Sequence, residues 1–72
     1  MGLREAREVR AKAARMEAAR WTKEAMAAAA GVSLPKYDRL EERPETMTVE
    51  QAHRLAEYLG TSPEALLHGP RA

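Results

Sequence analysis

Lys36, Asp38 and Arg39 carry the most specific hydrogen-bonding chemistry in this sequence, and they stand within one helical turn of each other. Arg39 presents a rigid fork of N–H donors, suited to a paired acceptor such as the O6/N7 edge of guanine. Lys36 is a compact charge on a long stem that could serve a base edge or a phosphate. Asp38 only accepts: it could take the amino group of cytosine or orient Arg39, and alone it would repel phosphates. Bond-making chemistry has no comparable pattern. His53 and His68 lie far apart without partners at ligand spacing, so they call for no metal and read as partly exposed helix residues. Glu41 and Glu42 are neighbours on a helix, so their carboxylates diverge and do not form a general acid/base pair. Ser33 and Ser62 are better explained as helix caps. There is no phosphate-cradling glycine loop and no nucleophile motif. The expectation is a protein that is not an enzyme, with no cofactor and no small-molecule ligand.

The elements that must position these residues are helices. The chain has 72 residues, one domain at most, with no cysteine for a disulfide or thiolate metal site. No apolar run approaches a membrane span, and the N-terminus has no signal-peptide core, so a soluble cytoplasmic protein without a membrane partner is expected. Residues 3–20 are rich in strong helix formers, with Leu3, Ala6, Val9, Ala13 and Met16 as a narrow apolar stripe. Trp21 stands at the next joint, expected to close the core against Ala25 or helix 1. Thr22 caps a second helix over 23–30, which Gly31 ends. Ser33 caps a third over 34–42, with Pro35 in its first turn, and Pro44 opens a loop. Thr48 and Gln51 match a capping box for a fourth helix over 49–59, with Val49, Ala52, Leu55, Ala56 and Leu59 on one face. Gly60 stops it, and Ser62-Pro63-Glu64 opens a short fifth helix over 63–68.

Helices 2 and 3 are joined by a three-residue turn, and Met26, Ala30, Val32, Tyr37 and Leu40 are spaced to close the inside of such a unit. In this arrangement the first helix of the pair crosses a phosphate backbone and the second enters the major groove with its N-terminal half. Helix N-termini at Thr22 and Ser33 would offer N–H groups to phosphates. Net charge is only +1, but residues 1–36 carry eight basic and four acidic side chains (net +4), against four and seven in residues 37–72 (net −3). A basic half can face a polyanion while the whole stays soluble.

From Arg15 to Leu67 the chain resembles the Cro/C1-type (Xre-like) helix-turn-helix family of phage and bacterial repressors. The resemblance is carried by Trp21-Thr22-Lys23-Glu24-Ala25-Met26-Ala27, Gly31-Val32-Ser33, Arg39-Leu40-Glu41, Leu55-Ala56-Glu57-Tyr58-Leu59-Gly60 and Pro63-Glu64-Ala65-Leu66-Leu67. It implies an all-α, five-helix, lambda-repressor-like domain that binds operator DNA as a homodimer. By position it places Thr22, Lys23, Ser33 and Arg43 at phosphates, and Leu34, Pro35, Lys36, Asp38 and Arg39 in the groove. It also implies a pairing of Arg15 with Glu41 across the core. The chain departs from the family pattern in having Lys23 where Gln is common, Leu34-Pro35 where polar residues are common, and a slightly longer joint between helices 1 and 2.

Helix 3 should therefore turn Tyr37, Leu40 and Glu41 inward and Leu34, Pro35, Lys36, Asp38, Arg39 and Glu42 outward. Tyr58, Leu66 and Leu67 are expected to form the dimer interface, as apolar surface beyond what so small a domain needs. The competing expectation is a protein-docking module that uses Leu34-Pro35 and helix 3 on an antirepressor or toxin partner. A third is a DNA-binding domain from a longer chain, with Gly69-Pro70 opening a linker.

Overall fold

The computed structural model describes residues 2–67. Its helices are α1 (Leu3–Ala13), α2 (Lys23–Ala30), α3 (Leu34–Glu42), α4 (Val49–Leu59) and α5 (Pro63–Leu67), with short 3-10 turns at Ala18–Trp21 and Pro44–Thr46. Four helices start where a hydroxyl caps them. The Thr22 side chain accepts from the Ala25 N–H (3.1 Å), Ser33 from Lys36 (3.4 Å) and Ser62 from Ala65 (3.3 Å). At α4 the reciprocal box is complete: Thr48 Oγ1 accepts from the Gln51 N–H and Gln51 Oε1 from the Thr48 N–H, both at 3.0 Å. Gly31 and Gly60 end α2 and α4 in the left-handed conformation, at φ +73° and +75°. A Cβ at Gly31 would meet only the end of the Arg54 side chain, at 2.9 Å, so the positive φ is what calls for glycine at this turn. The expected helix end at His68, the His68 side chain and the Gly69-Pro70 linker lie outside the described residues.

The first helix is a correction. It stops at Ala13 instead of running to residue 20; Ala14 is extended (φ −74°, ψ 130°), and the chain turns back through Ala18–Trp21. Helix propensity favours the longer helix, so tertiary contact decides. Trp21 reaches the seam between α1 and α4, edge-on to Tyr58 with ring centroids 5.6 Å apart and with Arg10 5.9 Å from its own centroid. A helix continued past Ala13 would carry residue 21 about 12 Å further along the axis, out of reach of that seam. The apolar stripe shortens with it. Leu3 and Ala6 are buried, but Val9 is half exposed and Met16 is 93% exposed.

The core combines Leu3 and Ala6 with Met26, Ala27 and Ala30 of α2, Tyr37 and Leu40 of α3, Met47, four residues of α4 (Ala52, Leu55, Ala56 and Leu59) and Leu66 of α5. Val49, expected on the same face as the α4 residues, sits in the first turn beyond the packed part of the helix and is 76% exposed. Leu66, expected at a dimer surface, is fully buried, because α5 folds back on α1 and α4. Tyr58 is also occupied within the chain: its hydroxyl donates to the Arg20 carbonyl at 2.8 Å, and its ring packs on Trp21 and beneath the Arg20 guanidinium. Of the three residues expected at that surface, Leu67 keeps free apolar area.

Candidate nucleic-acid interface

The geometry of the site is set by which face of α3 is anchored. Tyr37, Leu40 and Glu41 turn inward, as their spacing predicts. Glu41 is the buried acidic residue of the core and is fully engaged. Its carboxylate accepts from the Tyr37 hydroxyl at 2.6 Å and from Arg7 Nε and Nη2 of α1, and Arg4 Nε lies at 3.5 Å. Burial alone would raise the carboxyl's pKa. The hydrogen bonds from Arg7 and Tyr37, with the charges of Arg7 and Lys23, outweigh it and hold the carboxyl below its ordinary range. The Tyr37 phenol is pushed up, first by burial and then by its bond to Glu41. The Arg7 guanidinium is raised mainly by its bond to the same carboxylate.

This cluster corrects the implied Arg15–Glu41 pairing. Arg15 lies exposed after α1 has ended, and Arg7 takes its place. A signal was present: Arg7 follows the buried Leu3 by one helical turn, so it shares the inward stripe.

With α3 held by that inner face, its outer face is presented to solvent. Pro35, Lys36 and Arg39 are exposed, and Leu34 and Asp38 are half-buried. Lys36, Arg39 and Arg43 line one shallow depression with Glu42 and Thr46. None of these three cations joins an ion pair among the described residues. Thr22 and Ser33 are exposed at the N-termini of α2 and α3, each already accepting one N–H as a cap.

Lys23 and Asp38, expected to act separately on phosphate and base, are brought together. Lys23 Nζ lies 3.1 Å from Asp38 Oδ1, with both side chains about half exposed. Asp38 Oδ1 is itself enclosed and has this ionic contact but no aligned hydrogen bond. The pair joins the first turn of α2, where the helix dipole disfavours a cation, to an anion on α3. No spacing rule relates residues 23 and 38, so sequence reasoning had no access to the contact.

Among the described residues, no group of three or more His, Cys, Asp or Glu is placed to hold a metal. No helix there is long and apolar enough to cross a membrane. The model of the helix-turn-helix domain family matches residues 2–68. The chain belongs to the helix-turn-helix domain family. No curated protein and no solved structure matches it. In this helix-turn-helix domain, α2 and α3 are the helix pair, Gly31-Val32-Ser33 is the turn, and the depression lined by Lys36, Arg39 and Arg43 lies along the solvent side of the second helix.

Proposed function

We propose that this helix-turn-helix domain is a sequence-specific double-stranded DNA-binding transcriptional regulator. It acts as a repressor of the Cro/C1 kind, as a homodimer on a two-fold operator, in the cytoplasm of a bacterial or phage-infected cell. The observation that carries the reading is the group of exposed cations Lys36, Arg39 and Arg43, unpaired among the described residues, on the outer side and at the end of the second helix of the pair. Arg39 reads guanine through two hydrogen bonds, and Lys36 contacts a base or a phosphate beside it. Leu34 and Pro35 offer apolar contact to thymine methyl groups. Thr22, Lys23, Ser33 and Arg43 contact the backbone and set the register. Occupancy of the operator by the domain is what represses. Self-association draws on the exposed Leu67 rather than on Leu66.

The test is selection from a random duplex library, followed by titration of the enriched duplex at several salt concentrations. A specific complex that weakens steeply as salt rises is expected, with log K falling by about 0.9 for each phosphate neutralised per unit of log salt. Absence of any enriched duplex, together with salt-insensitive capture of a protein partner through Leu34-Pro35, would replace this reading with the docking one.

A further inference from the structure

The Lys23–Asp38 contact changes what Asp38 can do in a DNA complex. A carboxylate on the outer face of a recognition helix has two possible roles. It can accept a hydrogen bond from a cytosine amino group, or it can act on a neighbouring cation. In this chain Asp38 Oδ1 is enclosed and Lys23 Nζ stands 3.1 Å from it, whereas Arg39, the adjacent candidate for orientation by Asp38, makes no ion pair with it. Lys23 begins α2, on the other helix of the pair, so the contact spans the two elements that would embrace the backbone. The Lys23 side chain stays about half exposed in this contact, so the ammonium bridges the two helices while still open to an incoming phosphate.

Resting on the DNA-binding reading above, we propose that Asp38 is a positioning residue that acts through Lys23 and not a base reader: its carboxylate holds the Lys23 ammonium in an ion pair that a DNA phosphate must displace. The consequence is uniform. Every duplex, whatever its sequence, meets the same competition at Lys23, and the bound complex keeps an acidic group beside the phosphate. Asp38 thus lowers the effective number of phosphates the domain neutralises without selecting a base. A domain whose recognition surface offers few cations thereby holds down its binding to arbitrary DNA, leaving discrimination to Arg39 and Lys36.

The experiment compares wild type, Asp38→Asn, Lys23→Gln and the double variant on two probes: the duplex enriched from the random library and a mixed-sequence duplex of equal length. Thermal unfolding of each variant establishes that it is folded. Asp38→Asn is expected to bind both duplexes more tightly by a similar factor, about two- to fivefold, fivefold being about the most an exposed pair of this kind is worth. It is also expected to steepen the slope of log K against log salt by about 0.9. The gain should vanish in the Lys23→Gln background, where there is no ammonium to release. Loss of affinity confined to the enriched duplex, with a changed base preference on re-selection, would mean that Asp38 reads a base and would overturn the proposal. A gain that persists undiminished without Lys23 overturns it too, since Asp38 would then act by direct repulsion, and so does the absence of any change. If wild type binds neither duplex, the DNA-binding reading fails, and this inference fails with it.

Discussion

Two acidic residues three positions apart on α3 show how one helix presents both an anchored face and an open one. Glu41 is enclosed, takes hydrogen bonds from Arg7 and Tyr37, and ties α3 to α1. Asp38 stands on the other side, about half exposed, and faces a single lysine. Both are ion pairs by distance, but their surroundings differ. Inside, a broken pair leaves an uncompensated charge in a poor solvent, so the arrangement is held firmly. Outside, water and salt compete with the partner, and the pair is worth little, which is what the proposed exchange with a phosphate requires. Burial, rather than residue type, separates a scaffold contact from an exchangeable one.

The largest effect is expected from the inner pair. Glu41→Gln leaves Arg7 without its counter-ion and should destabilise the domain by about 3 kcal/mol. For a domain this size that lowers the melting temperature by roughly 12–24 °C, measurable by circular dichroism. A loss no greater than that of a surface substitution would erase the contrast between the two faces. The same cluster gives the pH dependence. Because the Glu41 carboxyl is held below its ordinary range when folded, its stabilisation is present above the unfolded carboxyl's pKa and is lost as pH falls through the folded value. Because the Tyr37 phenol is raised, its contribution is complete below the unfolded value of 10.0 and is lost as pH climbs past it. Melting temperature should therefore fall on both sides of neutrality, and Glu41→Gln should remove the Glu41 contribution to the acid limb.

On the outer face, Arg39→Ala should leave melting unchanged while reducing discrimination at one base pair by about 1–3 kcal/mol, read from competition between single-base variants of the enriched duplex. Equal binding to all variants before and after the substitution would remove Arg39 from the groove. Thr48→Ala should cost about 1 kcal/mol of stability through loss of the α4 cap, with no effect on base preference. The smallest effect belongs to Glu50→Ala. It breaks the exposed Glu50–Arg54 pair (2.7 Å, one turn apart) and should change stability by only about 0.3–0.5 kcal/mol, within the scatter of chemical denaturation.

Much of this molecule was legible without coordinates, and the legible parts share a physical cause. Caps, helix-ending glycines and inward spacings are local: Thr22, Ser33, Thr48 and Ser62 each satisfy an N–H three residues away, and Gly31 and Gly60 adopt the left-handed conformation their positions demand. The bounds of α2, α3 and α4 follow from such short-range bonds, and the spacing of apolar residues turns Tyr37, Leu40 and Glu41 inward and Lys36 and Arg39 outward.

The early end of α1, the burial of Leu66, and the partners of Glu41, Asp38 and Tyr58 were decided only by the tertiary structure. Each draws on groups far apart in the chain, such as Lys23 with Asp38 and Arg10 with the Leu59 carbonyl. Helix propensity over residues 3–20 gives way where Trp21 packs against Tyr58 and Arg10, because most helical stability in a protein comes from such tertiary packing. Short-range caps thus determined where the helices start and stop, and the spacing of apolar residues which way α3 faces. Long-range packing then decided which of its charged residues would become scaffold and which would remain exposed.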